Sequence, residues 1–403
     1  MRTWSRDDGF TLTELMVSTM VMLIVIGATL TTFRNAIDIN DTASQLGDAN
    51  QNLRAGTNQL FRDLMMAGRV IANGGVPAPN GSGAAPISRP GPPGTSLTFG
   101  LVADDDGSLI IPAITTGFHL GPSINGSSTD MVTILTVDEF MPNLLGVGSG
   151  TPTALQAVIA ADGSSLTLPA TSTWLVGDAT NDTQPINVGD IILFKNVNGI
   201  AMQTVTSKDA THLYFAQNDS TNDWFHLNQR NTAFAGTIYC LKTPPAGTVP
   251  PSTCDTTTIP ATLPVPSSMV TAAFPATATA PNGGTALMRL LMITYYVDNT
   301  TTPGTPRLTR VINHFAPQAL AGVVEDLDLT YDLVSPTAST VAAVPSLPLT
   351  QGGLTYTANM IKKVNVHVGV RSETLSKPTL NYVRNHINTA VDVRSIASVD
   401  RYE

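Results

Sequence analysis

One carboxylate stands out by its surroundings. Glu14 is the sole charged residue in the 24-residue run 10–33, FTLTELMVSTMVMLIVIGATLTTF. A charge towards the middle of a membrane helix costs on the order of 3 kcal/mol, less near the interface, so such a group marks function or a partner. Cys240 and Cys254 are the second candidate pair, enclosing 13 residues rich in Pro and Thr. Oxidised, they would close a loop worth about 3 kcal/mol in the chain-entropy treatment. A disulfide is expected over two free thiols if this part of the chain is exported. Asp104-Asp105-Asp106-Gly107-Ser108 has the opening of a calcium loop, but its twelfth position is Thr115, where an acid is required. A solvated acidic turn is the better expectation. Gly146-Val147-Gly148-Ser149-Gly150 lacks the flanking strand and helix of a dinucleotide loop and reads as a turn. The histidines (His119, His212, His226, His314, His367, His386) show no metal-ligand spacing, and no nucleophile elbow or phosphate loop occurs. His367 falls on the polar side of its strand and is expected at the surface. No catalytic residue, metal or cofactor is therefore predicted.

The element that must position Glu14 is a long helix. At 1.5 Å per residue, the run 10–33 spans about 36 Å, enough for a bilayer core of about 30 Å. Arg2 and Arg6 precede it and Arg34 follows, a weak bias towards a cytoplasmic N-terminus. A secretory signal would be shorter and end in a small-x-small site, which Leu30-Thr31-Thr32-Phe33-Arg34 is not. A plain membrane anchor fits the length but leaves Glu14 unexplained. No proline occurs from Phe10 to Val76, and Ile39, Ala43, Leu46, Leu53, Leu60, Leu64, Ala67 and Ile71 form a four-three stripe completed by Asn50 and Thr57. Arg54, Arg62, Asp48 and Asp63 lie off it. A helix over 10–71 would measure about 93 Å. It divides into a membrane half, 10–33, and a stalk half, 34–72. Gly47 and Gly56 weaken it locally, each by up to about 1 kcal/mol, and Asn73-Gly74-Gly75 supplies a stop. A dimeric coiled coil has the same spacing, but with polar residues in two slots, packing on the chain's own sheet is favoured.

Beyond the stalk, residues 73–403 read as a β-rich body. Short β-branched runs recur at 96–102, 131–137, 191–195, 201–206, 212–216, 290–297, 307–313, 323–333 and 361–370, with a closing strand within 383–396. In Lys363–Arg371, Val364, Val366, Val368 and Val370 share one face. Residues 77–93 read as a linker, 243–281 as an exposed loop, and 187–217 as an inserted small β unit. The fold class is α+β: a long N-terminal helix packed on a β-rich globular body with an inserted β unit and long loops.

Gly9-Phe10-Thr11-Leu12-Thr13-Glu14-Leu15 resembles the processing site of type IV prepilins and type II secretion pseudopilins. The resemblance implies that residues 1–9 are a leader. A prepilin peptidase would cut after Gly9 and methylate the new amine of Phe10. Glu14 would then be the fifth mature residue, and in a filament the amine of an incoming subunit would neutralise the Glu14 of its neighbour. Asp7-Asp8 stand where that family often has a basic residue. Four further segments are similar, in order, to PilW-like minor pilins: those beginning at Asp130, Val188 (with Gln203-Thr-Val-Thr), Leu320 and Lys363. This implies a minor pilin of a priming or tip complex, with other minor and major pilins and an inner-membrane assembly platform as partners. Its body would be periplasmic and then displayed at the cell surface. A minor pseudopilin of type II secretion is the alternative, and a membrane-tethered binding module or hydrolase is the alternative of another class.

Composition suits an exported β protein better than a cytosolic enzyme. The 403 residues carry 21 basic and 30 acidic side chains, net −9, which argues against a nucleic-acid partner. Charged residues are only 13%, about half the usual share, so the surface must be largely neutral and polar. Two cysteines exclude a cysteine-rich metal scaffold or disulfide miniprotein.

Overall fold

Thr11 opens helix α1 (Leu12–Met65), whose 54 residues make a rod of about 81 Å. The computed structural model describes residues 10–71, 75–78, 86–103, 109–147, 151–153, 155–160, 164–180, 183–196, 199–216, 219–228, 285–301, 303–334, 340–376 and 380–393. The helix stops six residues short of the expected Ile71 because the body captures its end. Met66 O accepts from Thr136 Oγ1 at 3.0 Å, and Gly68, at φ 72°, donates its N–H to Leu135 O at 2.9 Å. These contacts satisfy terminal groups that another helical turn would have used.

The body is built on one sheet of 15 strands among the described residues. They are β1 (Ile114–Gly117), β2 (Met131–Val137), β3 (Leu144–Val147), β4 (Gln156–Ile159), β5 (Ser165–Thr167), β6 (Ile191–Asn196), β7 (Gly199–Thr204), β8 (Ser207–Lys208), β9 (His212–Tyr214), β10 (Thr285–Asp298), β11 (Arg307–Ile312), β12 (Gln318–Leu333), β13 (Val341–Val344), β14 (Ile361–Leu375) and β15 (Tyr382–Asp392). Strand β10 is the shared spine. Its C-terminal half pairs with β2 and β11, and its N-terminal half pairs with β3 and β6. From β11 the sheet continues through β12 and β14 to β15, all antiparallel. The pair β3–β4 is parallel. Gly75–Pro77, Leu109–Pro112 and Val102–Ala103 form a separate small sheet.

Residues 187–217 hold β6 to β9, and β6 is hydrogen-bonded along β10 as part of the main sheet. Beneath β3 to β9 lies a core of their own around Trp174, Phe194, Phe215 and Leu287. The stretch expected as one strand at 96–102 is instead split. Leu97–Thr98 pairs with Ser88–Arg89, and Val102–Ala103 pairs with Leu109–Pro112. The first pairing draws Ser88–Arg89 out of the residues expected as a linker, where small residues and turns carry too little periodicity to announce a strand.

The helix packs on β12, β14 and β15. Leu53, Leu60, Leu64 and Ala67 meet a layer that includes Val364, Val366, Val368 and Val370, the row set up by strand alternation. Burying a side chain of this size contributes about 1.5–3 kcal/mol. The expected stripe therefore holds from Ala49 onwards. Ile39, Ala43 and Leu46 are exposed, because in this stretch the helix meets the body through Thr42, whose hydroxyl lies 3.2 Å from Ser376 Oγ, and the stripe faces away.

Candidate functional site

The N-terminal end of α1 is fixed by side chains of the motif itself. Thr11 has extended backbone, and its hydroxyl oxygen accepts from Glu14 N at 3.3 Å. In return Glu14 Oε2 accepts from Thr11 N at 3.0 Å and from Thr11 Oγ1 at 2.9 Å. This reciprocal capping box satisfies helix donors that have no partner within the helix. It also sets a negative charge at the positive end of the peptide dipoles. Phe10 precedes the box and is exposed. Among the described residues no cation lies within ion-pair distance of Glu14, so its anionic partner requirement is met only by Thr11.

Behind the box, the apolar stem from Leu12 to Phe33 is bare, and it is the one described helix long and apolar enough to cross a membrane. Its hydroxyl-bearing residues fold their donors back onto the helix. Ser18 donates to Glu14 O at 2.7 Å, Thr29 to Val25 O at 2.7 Å, Thr31 to Gly27 O at 2.8 Å and Thr32 to Ala28 O at 2.9 Å. Side chains that look polar in the sequence thus present little unmet hydrogen-bonding capacity to hydrocarbon.

The stalk half is held on its sheet by two features that the stripe does not reveal. Gly56 sits against β12 so closely that a Cβ there would lie 2.6 Å from Ala321 Cβ. A position expected only to weaken the helix is a point of close approach between helix and sheet. Asp63, expected off the stripe, is buried instead. It accepts from Tyr295 Oη at 2.6 Å, Arg310 Nε at 2.8 Å and Gln59 Nε2 at 3.1 Å. The Tyr295 hydroxyl is pushed well above its ordinary range, first by burial and then by the Asp63 charge. An acid, a base and a phenol spaced far apart in the chain carry no joint pattern, so only the fold unites them. At Asn50, one of the polar slots, the side chain is hydrogen-bonded to Asn385 of β15.

Gly9 and the rest of the expected leader lie outside the described residues, as do Cys240, Cys254, Asp104–Asp106 and residues 243–281. Gly146 lies in β3. His212 bonds to Asp209, and His314 stacks on Trp224 with ring centroids 4.3 Å apart. His367 is half-exposed on the polar side of β14, as its alternation predicts, but faces Asp326.

The comparisons meet this geometry at the same residues. The model of the prokaryotic N-terminal methylation motif matches residues 4–30, a span holding Gly9, Phe10 and Glu14. No curated protein matches the chain. No solved structure matches it either. The match covers the N-terminal segment and supports a type IV prepilin-like protein, the motif implying processing by a prepilin peptidase and membrane association.

Proposed function

We propose that the protein is a PilW-like minor type IV pilin, a structural subunit that helps to prime a pilus or build its tip. The observation that carries the reading is Glu14: a lone carboxylate, held by a capping box, at the entrance of an uncovered apolar stem inside a methylation motif. Cleavage after Gly9 frees the amine of Phe10, whose positive charge is the partner that Glu14 lacks among the described residues. In a filament, the amine of one subunit reaches the Glu14 of the next, offsetting the cost of a charge in an apolar core and setting axial register. The N-terminus is cytoplasmic and the body periplasmic before assembly, and other minor and major pilins and the inner-membrane platform are its partners. The size of the body, 403 residues less the leader and helix, suits a capping or priming subunit better than a bulk repeat. The role is structural and no catalysis is assigned.

Mass spectrometry of the protein recovered from sheared surface filaments tests this. The expected species begins at a methylated Phe10, and Gly9→Leu should leave the leader attached. A native chain beginning at Met1, confined to the membrane fraction, defeats the proposal. Recovery with secretion-type pseudopilins instead of pilins would redirect it to type II secretion.

A further inference from the structure

Strand alternation places a second set of polar side chains on the face of β12, β14 and β15 opposite the valine row. Asp326 and Asp328 come from β12, His367 of β14 is directly opposite Asp328, and Asn388 of β15 is directly opposite His367. His367 Nε2 lies 3.3 Å from Asp326 Oδ2, and ligand atoms of Asp326, Asp328 and His367 all lie within 4.8 Å of one another. Two donors bound to one zinc-sized ion at about 2.0–2.1 Å in tetrahedral geometry are themselves about 3.3–3.4 Å apart. The spacing fits a ligand pair around an ion as well as a direct ion pair.

The hydrogen bonds around the histidine sharpen this. His367 Nδ1 is bonded to the side-chain oxygen of Asn388. An amide oxygen can only accept, so Nδ1 donates the proton in this bond and Nε2 is the ring nitrogen that faces the Asp326 carboxylate. The pair is satisfied either by a proton on Nε2, as an imidazolium–carboxylate ion pair, or by a cation held between the two atoms. Asp326 Oδ1, meanwhile, is shielded from solvent and has no hydrogen-bond partner. Asp328 adds a second carboxylate from the same face of β12, directly opposite His367. A shallow pocket of about 400 Å³ opens over Asp328, His367 and Asn388, leaving room for a water ligand.

We propose that Asp326, Asp328 and His367 form a divalent-metal site of the zinc class, with Asn388 fixing the histidine tautomer and a fourth position open to water. One imidazole with two carboxylates suits zinc and its first-row neighbours, and a ligating histidine whose other nitrogen is held by a hydrogen bond is the usual supporting arrangement. The ligands come from two neighbouring strands, so the ion would also lock the β12–β14 register and stabilise the folded body by mass action.

The test uses the full mature chain in detergent micelles, stripped with chelator and titrated with zinc chloride by calorimetry, with melting temperature as a second readout. The expected result is one tight equivalent per chain, a rise in melting temperature that chelator reverses, and a four-coordinate visible spectrum with cobalt. His367→Gln and the double variant Asp326→Asn/Asp328→Asn should each weaken binding by about 100-fold or more, and Asn388→Ala by about tenfold. His386→Gln should change nothing, although its ring centroid is 5.6 Å from that of His367. Melting of the metal-free variants reports their folding. If a ligand variant fails to fold, the cobalt spectrum of the wild type and the Asn388→Ala and His386→Gln proteins decide the matter. The proposal is overturned if the wild type binds zinc no more tightly than the double variant, if His386→Gln weakens binding as much as His367→Gln, or if cobalt stays six-coordinate.

Discussion

Helix α1 carries two acids whose surroundings are opposite, and the contrast separates what the chain completes alone from what it leaves open. Asp63 lies against the body, where a phenol, a guanidinium and an amide fill its oxygens. Glu14 lies about 74 Å away along the same helix, bonded only within its own capping box. A buried carboxylate is tolerated when its partners are buried with it. The stalk supplies those partners internally, whereas the stem offers no cation for Glu14 among the described residues. On the proposed reading, a second subunit supplies it.

Breaking each acid in turn should therefore give different phenotypes. Asp63→Ala has the largest expected effect on the isolated protein. It strands a nearly buried Arg310 and should cost about 3–5 kcal/mol, seen as a lower denaturant midpoint, with membrane insertion unchanged. A shift within error would mean that the network contributes nothing to docking. Glu14→Val should do the reverse, leaving the stability of the body intact while cutting recovery in sheared filaments by about tenfold or more, the equivalent of about 1.4 kcal/mol of lost pairing. Unchanged recovery would remove the partner explanation. Gly56→Ala comes next. Overpacking against Ala321 should cost about 1–3 kcal/mol, only partly offset by up to about 1 kcal/mol of helix propensity. Gly47→Ala, with nothing within 4 Å of the added carbon, should be neutral to stabilising, so the pair of melting curves isolates the helix–sheet contact.

The smallest effect concerns the opposite face. Folding raises the Asp328 carboxyl above its ordinary 3.8, with burial as the main cause and Asp326 and Asp130 adding to it. Ionising it therefore costs stability, a cost absent below pH 3.8 and complete above the folded value. In chelator, Asp328→Asn should melt slightly higher than wild type at pH 7, and the gap should close as the pH falls towards 3.8. A gap that widens on acidification contradicts the assignment.

Much of this architecture was legible in local pattern. The proline-free stretch and its stripe announce a single long helix, and the alternation of Val364, Val366, Val368 and Val370 marks the strand that receives it. Glu14 needed only its apolar setting to stand out. What stayed hidden depends on pairings between distant residues. The place of β6 beside β10, nearly a hundred residues later, leaves no trace in either segment's periodicity. Asp63 looked like a solvated helix residue because its neighbours Tyr295 and Arg310 are more than 230 residues away in the chain. His367 was correctly placed on the polar side of its strand, but Asp326 comes within reach only through the β12–β14 register.

The back-bonded hydroxyls of the stem have one last consequence. Since Ser18, Thr29, Thr31 and Thr32 each spend their proton on a carbonyl of the same helix, the stem brings its own wiring wherever it goes. It can leave a fluid lipid environment for a tightly packed protein lattice, or return, without a single one of those bonds being exchanged. On the proposed reading, the energetic difference between the two surroundings is then left to van der Waals packing and to Glu14 at the head of the rod.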